Sequence, residues 1–249
     1  MNAAAGRPVA LVTGASRGIG LGIARRLAEA GYDLTVSARD ASRLNRAAEV
    51  LAGAGGRVHA IATDMAVEEE VRRLAAEHTQ HHGRLDVLVI GAGVGSSESI
   101  EKATKKRYDL QFGVNVRAPF VLLQACLPVL RKTAATNPEH GARIIALASI
   151  TGIAAEPALA AYGATKAALI SLCRSVNTEA SAHGVSATAI CPGYVDTDMS
   201  AWTRDRIEPH RMIQVDDIAE LAMSLTRLSA FAVVPELVVT RPGEQLWRA

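Results

Sequence analysis

The sequence predicts an α/β protein, a three-layer doubly wound parallel sheet (Rossmann fold) of about seven strands in a single domain. Three observations carry this. Short continuous apolar runs, the mark of strands buried on both faces, alternate with longer segments of helical periodicity. A glycine-rich turn joins the first apolar run to the first helical segment. No linker or repeat breaks the 249 residues, a length that one α/β domain with a sizeable core fills.

In order, Pro8 to Val12 is the first strand, after an N-terminus (1–7) expected to be flexible and lacking the apolar core of a signal peptide. Thr13-Gly14-Ala15-Ser16-Arg17-Gly18-Ile19-Gly20 then turns into a helix over Leu21 to Ala30. Glycines there let the turn close and let backbone approach a pyrophosphate resting on the helix N-terminus. Asp33 to Ala38 is the second strand, and Asp40 caps a helix over Ala41 to Ala52. Where NAD-binding folds place a carboxylate for the ribose 2′-hydroxyl, this strand ends in Ala38-Arg39. Arg39 and Arg17 are suited to converge on a 2′-phosphate, which favours NADP(H) over NAD(H).

Arg57 to Thr63 is the third strand, ending in Asp64-Met65. A helix over Val67 to His82 carries Glu68, Glu69 and Glu70 in its first turn, matching the macrodipole. His78, His81 and His82 read as its solvated end, with no thiol or carboxylate to complete a metal site. Leu85 to Ile90 is the fourth strand and runs into Gly91-Ala92-Gly93, where backbone can again lie against a cofactor. Ser99 to Arg131 is helical, with Asn115 in its apolar part, where propensity disfavours it unless it has a hydrogen-bonding task. A loop over Thr133 to Gly141 leads to the fifth strand, Arg143 to Ala148, ending at Ser149. Ala158 to His183 is a helix and Val185 to Cys191 the sixth strand. Pro192-Gly193-Tyr194-Val195-Asp196-Thr197 then opens a polar stretch, 199–212, expected to be a substrate lid. Val215 to Leu228 is the last helix, Glu236 to Thr240 the last strand and Arg241 to Ala249 an irregular tail.

Composition excludes several classes. The net charge of +2, from 27 basic and 25 acidic residues without a basic block, argues against nucleic-acid binding. Apolar runs such as Phe120 to Leu123 and Ala187 to Cys191 are too short to span a bilayer. Cys126, Cys173 and Cys191, an odd number without CxxC spacing, read as reduced thiols of a soluble, cytoplasmic protein.

The chemistry centres on Tyr162 and Lys166, four residues apart and therefore on one helix face. A free phenol, with a pKa near 10, is a poor acid or base at neutral pH. A cation within a few ångströms pulls that pKa toward the working range, so the pair reads as a proton donor with its tuning charge.

Together the motifs resemble the short-chain dehydrogenase/reductase (SDR) family over nearly the whole chain. Thr13 to Gly20 is similar to its TGxxxGxG turn, and Tyr162 and Lys166 to its YxxxK. Ser149, thirteen residues before Tyr162, matches its serine, Asn115 its helix asparagine, and Pro192-Gly193 with Val195 and Thr197 its nicotinamide segment. The resemblance implies that Tyr162 exchanges a proton with the substrate oxygen while Lys166 holds the nicotinamide ribose and lowers the phenol pKa. It implies that Ser149 hydrogen-bonds the substrate oxygen and that Asn115 anchors a water relaying protons to Lys166. Gly14, Ser16, Arg17, Gly18, Ile19 and Gly20 would take the pyrophosphate side, Arg39 the 2′-phosphate, Asp64 and Met65 the adenine, with Ala92 and Gly93 facing the cofactor.

Two departures stand out. The family's Asn-Asn-Ala-Gly is here Ile90-Gly91-Ala92-Gly93, which removes a contact expected to brace the central sheet. The C-terminal segment lacks the family's Thr-Gly before the last strand and Asp-Gly-Gly after it, which bears on oligomer contacts. The wording is nearest to 3-oxoacyl-[acyl-carrier-protein] reductases. The expected activity is hydride transfer between NADP(H) and a small-molecule carbonyl or secondary alcohol, with 3-oxoacyl thioesters among the candidates. The alternative is a dinucleotide-binding sensor or scaffold without turnover. The family's habit implies a homodimer or homotetramer.

Overall fold

A computed structural model describes residues 6–243; the expectations for 1–5 and for the end of the tail lie outside the described residues. Of the N-terminal stretch, Arg7 is anchored: its guanidinium donates to the carbonyls of Gly31 (3.0 Å) and Gly55 (2.6 Å) and pairs with Asp33 (3.2 Å).

Seven strands form one sheet: β1 (Val9–Thr13), β2 (Asp33–Ala38), β3 (Val58–Ala62), β4 (Val87–Ile90), β5 (Ala142–Leu147), β6 (Val185–Pro192) and β7 (Glu236–Val239). Their order is β3-β2-β1-β4-β5-β6-β7, and every neighbouring pair is parallel. The helices are α1 (Gly18–Glu29), α2 (Ala41–Gly53), α3 (Glu68–His82), α4 (Lys105–Phe112), α5 (Ala118–Thr136), α6 (Ala160–Ala180) and α7 (Val215–Thr226). Because strand residues alternate between faces, Ala10 and Val12 enter the core beneath α1, α2 and α7, while Leu11 enters the core beneath α3, α5 and α6. Both faces are thereby covered, which is why the strands read as unbroken apolar runs.

The fourth helical region differs from expectation. Residues 99–104 precede the helix, and Thr104 caps α4 by accepting from the Arg107 amide. Between α4 and α5, Gly113–Arg117 form a π-helical turn that holds Asn115. At the far end α5 continues to Thr136, through part of the predicted loop. Its last turn is held because Thr133 Oγ1 donates to the Val129 carbonyl (2.8 Å) and accepts from the Leu85 amide (2.9 Å). The resulting helical stretch, Lys105–Thr136, is long and apolar enough to cross a membrane by length and composition. Most of its most apolar 18-residue portion is buried here against the sheet and neighbouring helices, the position of an ordinary core helix.

At the position of the missing asparagines the end of β4 is bonded to β1. Thr13 Oγ1 donates to the Val89 carbonyl (3.3 Å) and accepts from the Gly91 (3.1 Å) and Ala92 (3.2 Å) amides, bracing β1 to the end of β4. A Cβ on Gly91 would come within 2.6 Å of the Thr13 carbonyl oxygen, so the two backbones approach closely only because residue 91 has no side chain.

Candidate active site

The strand order reverses between β1 and β4, and in open parallel sheets ligands bind outside the carboxyl ends of the strands at such a point. A cleft of about 1310 Å³ lies there. It runs from Arg39 past the glycine turn and Asp64-Met65 to Ser149, Tyr162 and Thr197. Of the residues selected from sequence, Asn115 alone does not line it.

In the first half of the cleft, Gly14 (φ +71°) and Gly18 (φ +54°) adopt the left-handed conformation that a side chain disfavours. A Cβ on Gly14 would also lie 2.7 Å from the Gly91 carbonyl oxygen. The N-cap of α1, Arg17, makes no side-chain capping bond, and no acidic residue occupies the first turn. The leading N–H groups and the positive end of α1 are thus left to an external anion, and the cleft has the length and chemistry for a dinucleotide pyrophosphate. Thr197 closes over this turn, its methyl 3.5 Å from where a Gly18 Cβ would stand.

Asp40 caps α2 as expected, accepting from the Arg43 amide at 2.9 Å, and that bond holds its carboxyl below the usual range. Arg39 is exposed on the cleft, and Arg43, not singled out from sequence, lines it too. Arg17 lines the cleft as well, its exposed guanidinium paired with Asp198 (2.6 Å). The carboxylate comes from 181 residues away, so sequence gave no sign of it.

In the second half, β5 ends at Ala148-Ser149 and α6 brings Tyr162 and Lys166 alongside. Ser149 Oγ accepts from the Thr151 amide (3.2 Å) and the Thr151 hydroxyl (2.9 Å). A hydroxyl has two acceptor sites and one donor, so with both acceptors filled Ser149 retains its O–H to give. Thr151, unnoticed in the sequence, therefore orients the serine.

Lys166 is buried, and its Nζ donates to the Leu147 carbonyl at 2.7 Å. Burial lowers its pKa to about 8. Nζ stands over the Tyr162 ring, 5.5 Å from the centroid. The expected lowering of the phenol pKa is not what this geometry gives. Desolvation raises Tyr162 to about 12, offset in part by the Ser149 hydroxyl, because the ammonium faces the ring and bonds to backbone. Gly95, also missed from sequence, makes room for that ring: a Cβ there would be 3.2 Å from it.

Asn115 sits behind the cleft. Its side chain accepts from the Val94 amide (2.9 Å) and donates to the Val94 carbonyl (2.8 Å) and Thr165 Oγ1 (3.0 Å). The hydrogen-bonding task inferred from its unfavourable propensity is to tie the Gly93-Val94 backbone to α6. A π turn puts the side chain there, in keeping with the frequency of such turns at functional sites.

The stretch 199–212 contains two 3₁₀ turns, Asp198–Thr203 and Pro209–Arg211. Thr197 and Ser200 form a capping box at its start. Two of its three arginines are engaged: Arg204 pairs with Asp196 (2.9 Å), and Arg206 lies over the Trp202 ring. Of the histidines expected at a solvated end of α3, His81 is exposed and His82 half-buried, but His78 is fully buried. Its Nδ1 is 2.8 Å from Thr35 Oγ1 and its Nε2 is 3.2 Å from the Arg84 carbonyl. The three cysteines are unpaired and buried, and burial pushes each thiol up to about 12, far from a reactive thiolate.

A phosphate-ready helix end beside a serine, tyrosine and lysine at the ends of parallel strands defines a nucleotide-dependent oxidoreductase fold. The family model for short chain dehydrogenase matches residues 8–208, and the chain belongs to that family. Among its relatives, an oxidoreductase of Staphylococcus epidermidis is 34% identical over 78% of this chain and 81% of its own. The 3-oxoacyl-[acyl-carrier-protein] reductase FabG of Staphylococcus aureus is 31% identical over 83% of this chain and 82% of its own. The structure of Pseudomonas aeruginosa RhlG, an active-site complex with NADP, superposes with a TM-score of 0.85 at 31% identity, covering 96% of each chain.

Proposed function

We propose that this oxidoreductase interconverts a carbonyl and a secondary alcohol using NADP(H) in preference to NAD(H), 3-oxoacyl thioesters being among its candidate substrates. When bound, the nicotinamide supplies or accepts the hydride. Everything else falls to the chain. The uncapped end of α1, with Gly14, Ser16, Gly18, Ile19 and Gly20, holds the pyrophosphate; Asp64 and Met65 border the adenine, and Arg39 with Arg43 faces the 2′-phosphate. Ala92, Gly93, Pro192, Gly193, Val195 and Thr197 wall the nicotinamide. The remaining N–H groups of Lys166 hold its ribose. Ser149 donates its O–H to the substrate oxygen. A raised pKa keeps the Tyr162 phenol protonated at neutral pH, the form that gives a proton to a carbonyl oxygen. Asn115 positions this set from behind, and 199–212 closes over the substrate.

The single observation that carries this reading is the Ser149 hydroxyl, both of whose acceptor sites are filled and whose O–H is left beside the Tyr162 phenol. Tyr162→Phe is expected to lower kcat for ketone reduction about 100-fold or more while NADPH still binds. Reduction at the parent rate by that variant would remove the mechanism. Binding of NADPH by the parent with no turnover of any ketone would favour the sensor or scaffold.

We further infer a homodimer or homotetramer built on α4, α5 and α6. Supporting this, Tyr108, Leu110 and Phe120 stand exposed on the first two, a stretch of apolar surface that a monomer has no reason to keep. A light-scattering mass equal to one chain would refute it. A reduced, cytoplasmic setting suits three buried free thiols.

A further inference from the structure

At the substrate end of the cleft an exposed tryptophan is held in place from two sides. Trp202, 47% exposed, lies on the Asp198–Thr203 turn and lines the same cleft as Ser149 and Tyr162. The Tyr194 ring meets it edge-on, at 5.8 Å between centroids and 83° between planes. The Arg206 guanidinium sits over it, 5.2 Å from the ring centroid. Tyr194 is fixed in turn, its hydroxyl donating to Glu156 Oε1 at 2.7 Å. That bond ties the stretch after β6 to the loop between Ser149 and α6. An indole pre-ordered in this way, half open to solvent, is an interaction surface with little ordering entropy left to lose.

The surroundings state what it takes. Leu159, Met199 and Tyr194 line the cleft with it, and Met199 is itself half exposed. Of the guanidinium groups nearby, Arg204 is paired with Asp196 (2.9 Å), Arg17 at the glycine turn with Asp198 (2.6 Å), and Arg206 is occupied by the indole itself. A carboxylate on the substrate would have to break one of these pairs or draw Arg206 off the Trp202 ring to find a partner. Resting on the oxidoreductase reading above, we propose that the Trp202 indole is a platform for the apolar part of the substrate, and that the substrate is an uncharged, hydrophobic ketone.

Two measurements test this. With NADP+ present so that no reduction occurs, calorimetric titration of acetophenone is expected to give a Kd about tenfold weaker for Trp202→Ala than for the parent, with Trp202→Phe recovering most of the loss. In NADPH-driven reduction, the parent is expected to prefer acetophenone over both butan-2-one and 4-acetylbenzoate. The kcat/KM ratio of acetophenone to butan-2-one should fall about tenfold in Trp202→Ala, chiefly through KM. Equal acetophenone affinity in parent and Trp202→Ala, or no binding to the parent, overturns the platform. Preference for 4-acetylbenzoate overturns the uncharged substrate. Trp202-dependent binding without reduction of any ketone would leave the platform standing and refute the redox reading instead.

Discussion

Acid should loosen this protein through one buried imidazole. His78 on α3 has no exposed surface and is bonded at both ring nitrogens, to Thr35 Oγ1 on β2 and to the Arg84 carbonyl. The carbonyl can only accept, so Nε2 carries the proton and Nδ1 accepts from the Thr35 hydroxyl: a neutral ring. Burial, aided by His82, lowers its pKa from 6.5 to about 4. The sign follows from linkage: between those values the unfolded chain binds more protons, so stability is full above about pH 6.5 and is lost as pH falls toward 4. At about pH 5 the loss amounts to roughly 2 kcal/mol from this group alone, a sizeable part of a typical domain's stability. His59 and His82, their pKa values also lowered by burial, add in the same direction. Urea unfolding of parent and His78→Gln, at fixed protein concentration near pH 7.5 and near pH 5, isolates the term. The variant starts less stable but should lose about 2 kcal/mol less than the parent over that interval. An identical loss in both proteins, or a His78 resonance titrating near 6.5, would refute the reasoning.

Two further outcomes follow from the cleft. Arg39→Ala should weaken NADPH binding about tenfold and leave NADH nearly unchanged, since Arg39 is the cleft cation proposed above to face the 2′-phosphate; fluorescence titration reads both, and equal parent affinities for the two nucleotides would defeat the preference. Gly14→Ala forces a left-handed φ of +71° on a residue whose Cβ would meet the Gly91 carbonyl at 2.7 Å. It should cost about 2 kcal/mol or more and lower Tm by roughly 6 °C, and an unchanged melting curve would show that the β1–β4 approach relaxes freely.

Much of the site was readable because it is encoded locally. Gly14, Gly18 and Gly20 follow an apolar strand and open a helix, and that succession already implies a phosphate-binding turn. Tyr162 and Lys166 share a face because α-helix geometry fixes the spacing. Asp40 declared itself as a cap, and the capping bond is present. Misreadings gathered where contact crosses long sequence separations. His78 was assigned to solvent because its partner Thr35 lies 43 residues earlier. Nothing near Arg17 in the sequence announces its pair with Asp198. Nor does anything beside Gly91 announce that Thr13, 78 residues earlier, accepts from its amide.

By itself, the order of residues determined the alternation of strands and helices, the strand-end chemistry and the pairing of phenol with amine, because periodicity and turn stereochemistry act within a few residues. Only the folded chain decided which side chains the reacting groups answer to. It set Lys166 against the Leu147 carbonyl, left the Ser149 O–H to be donated by filling its acceptors, and pinned Trp202 between Tyr194 and Arg206. Protonation and orientation depend on burial and on partners brought from distant segments, and those exist only once the sheet has closed.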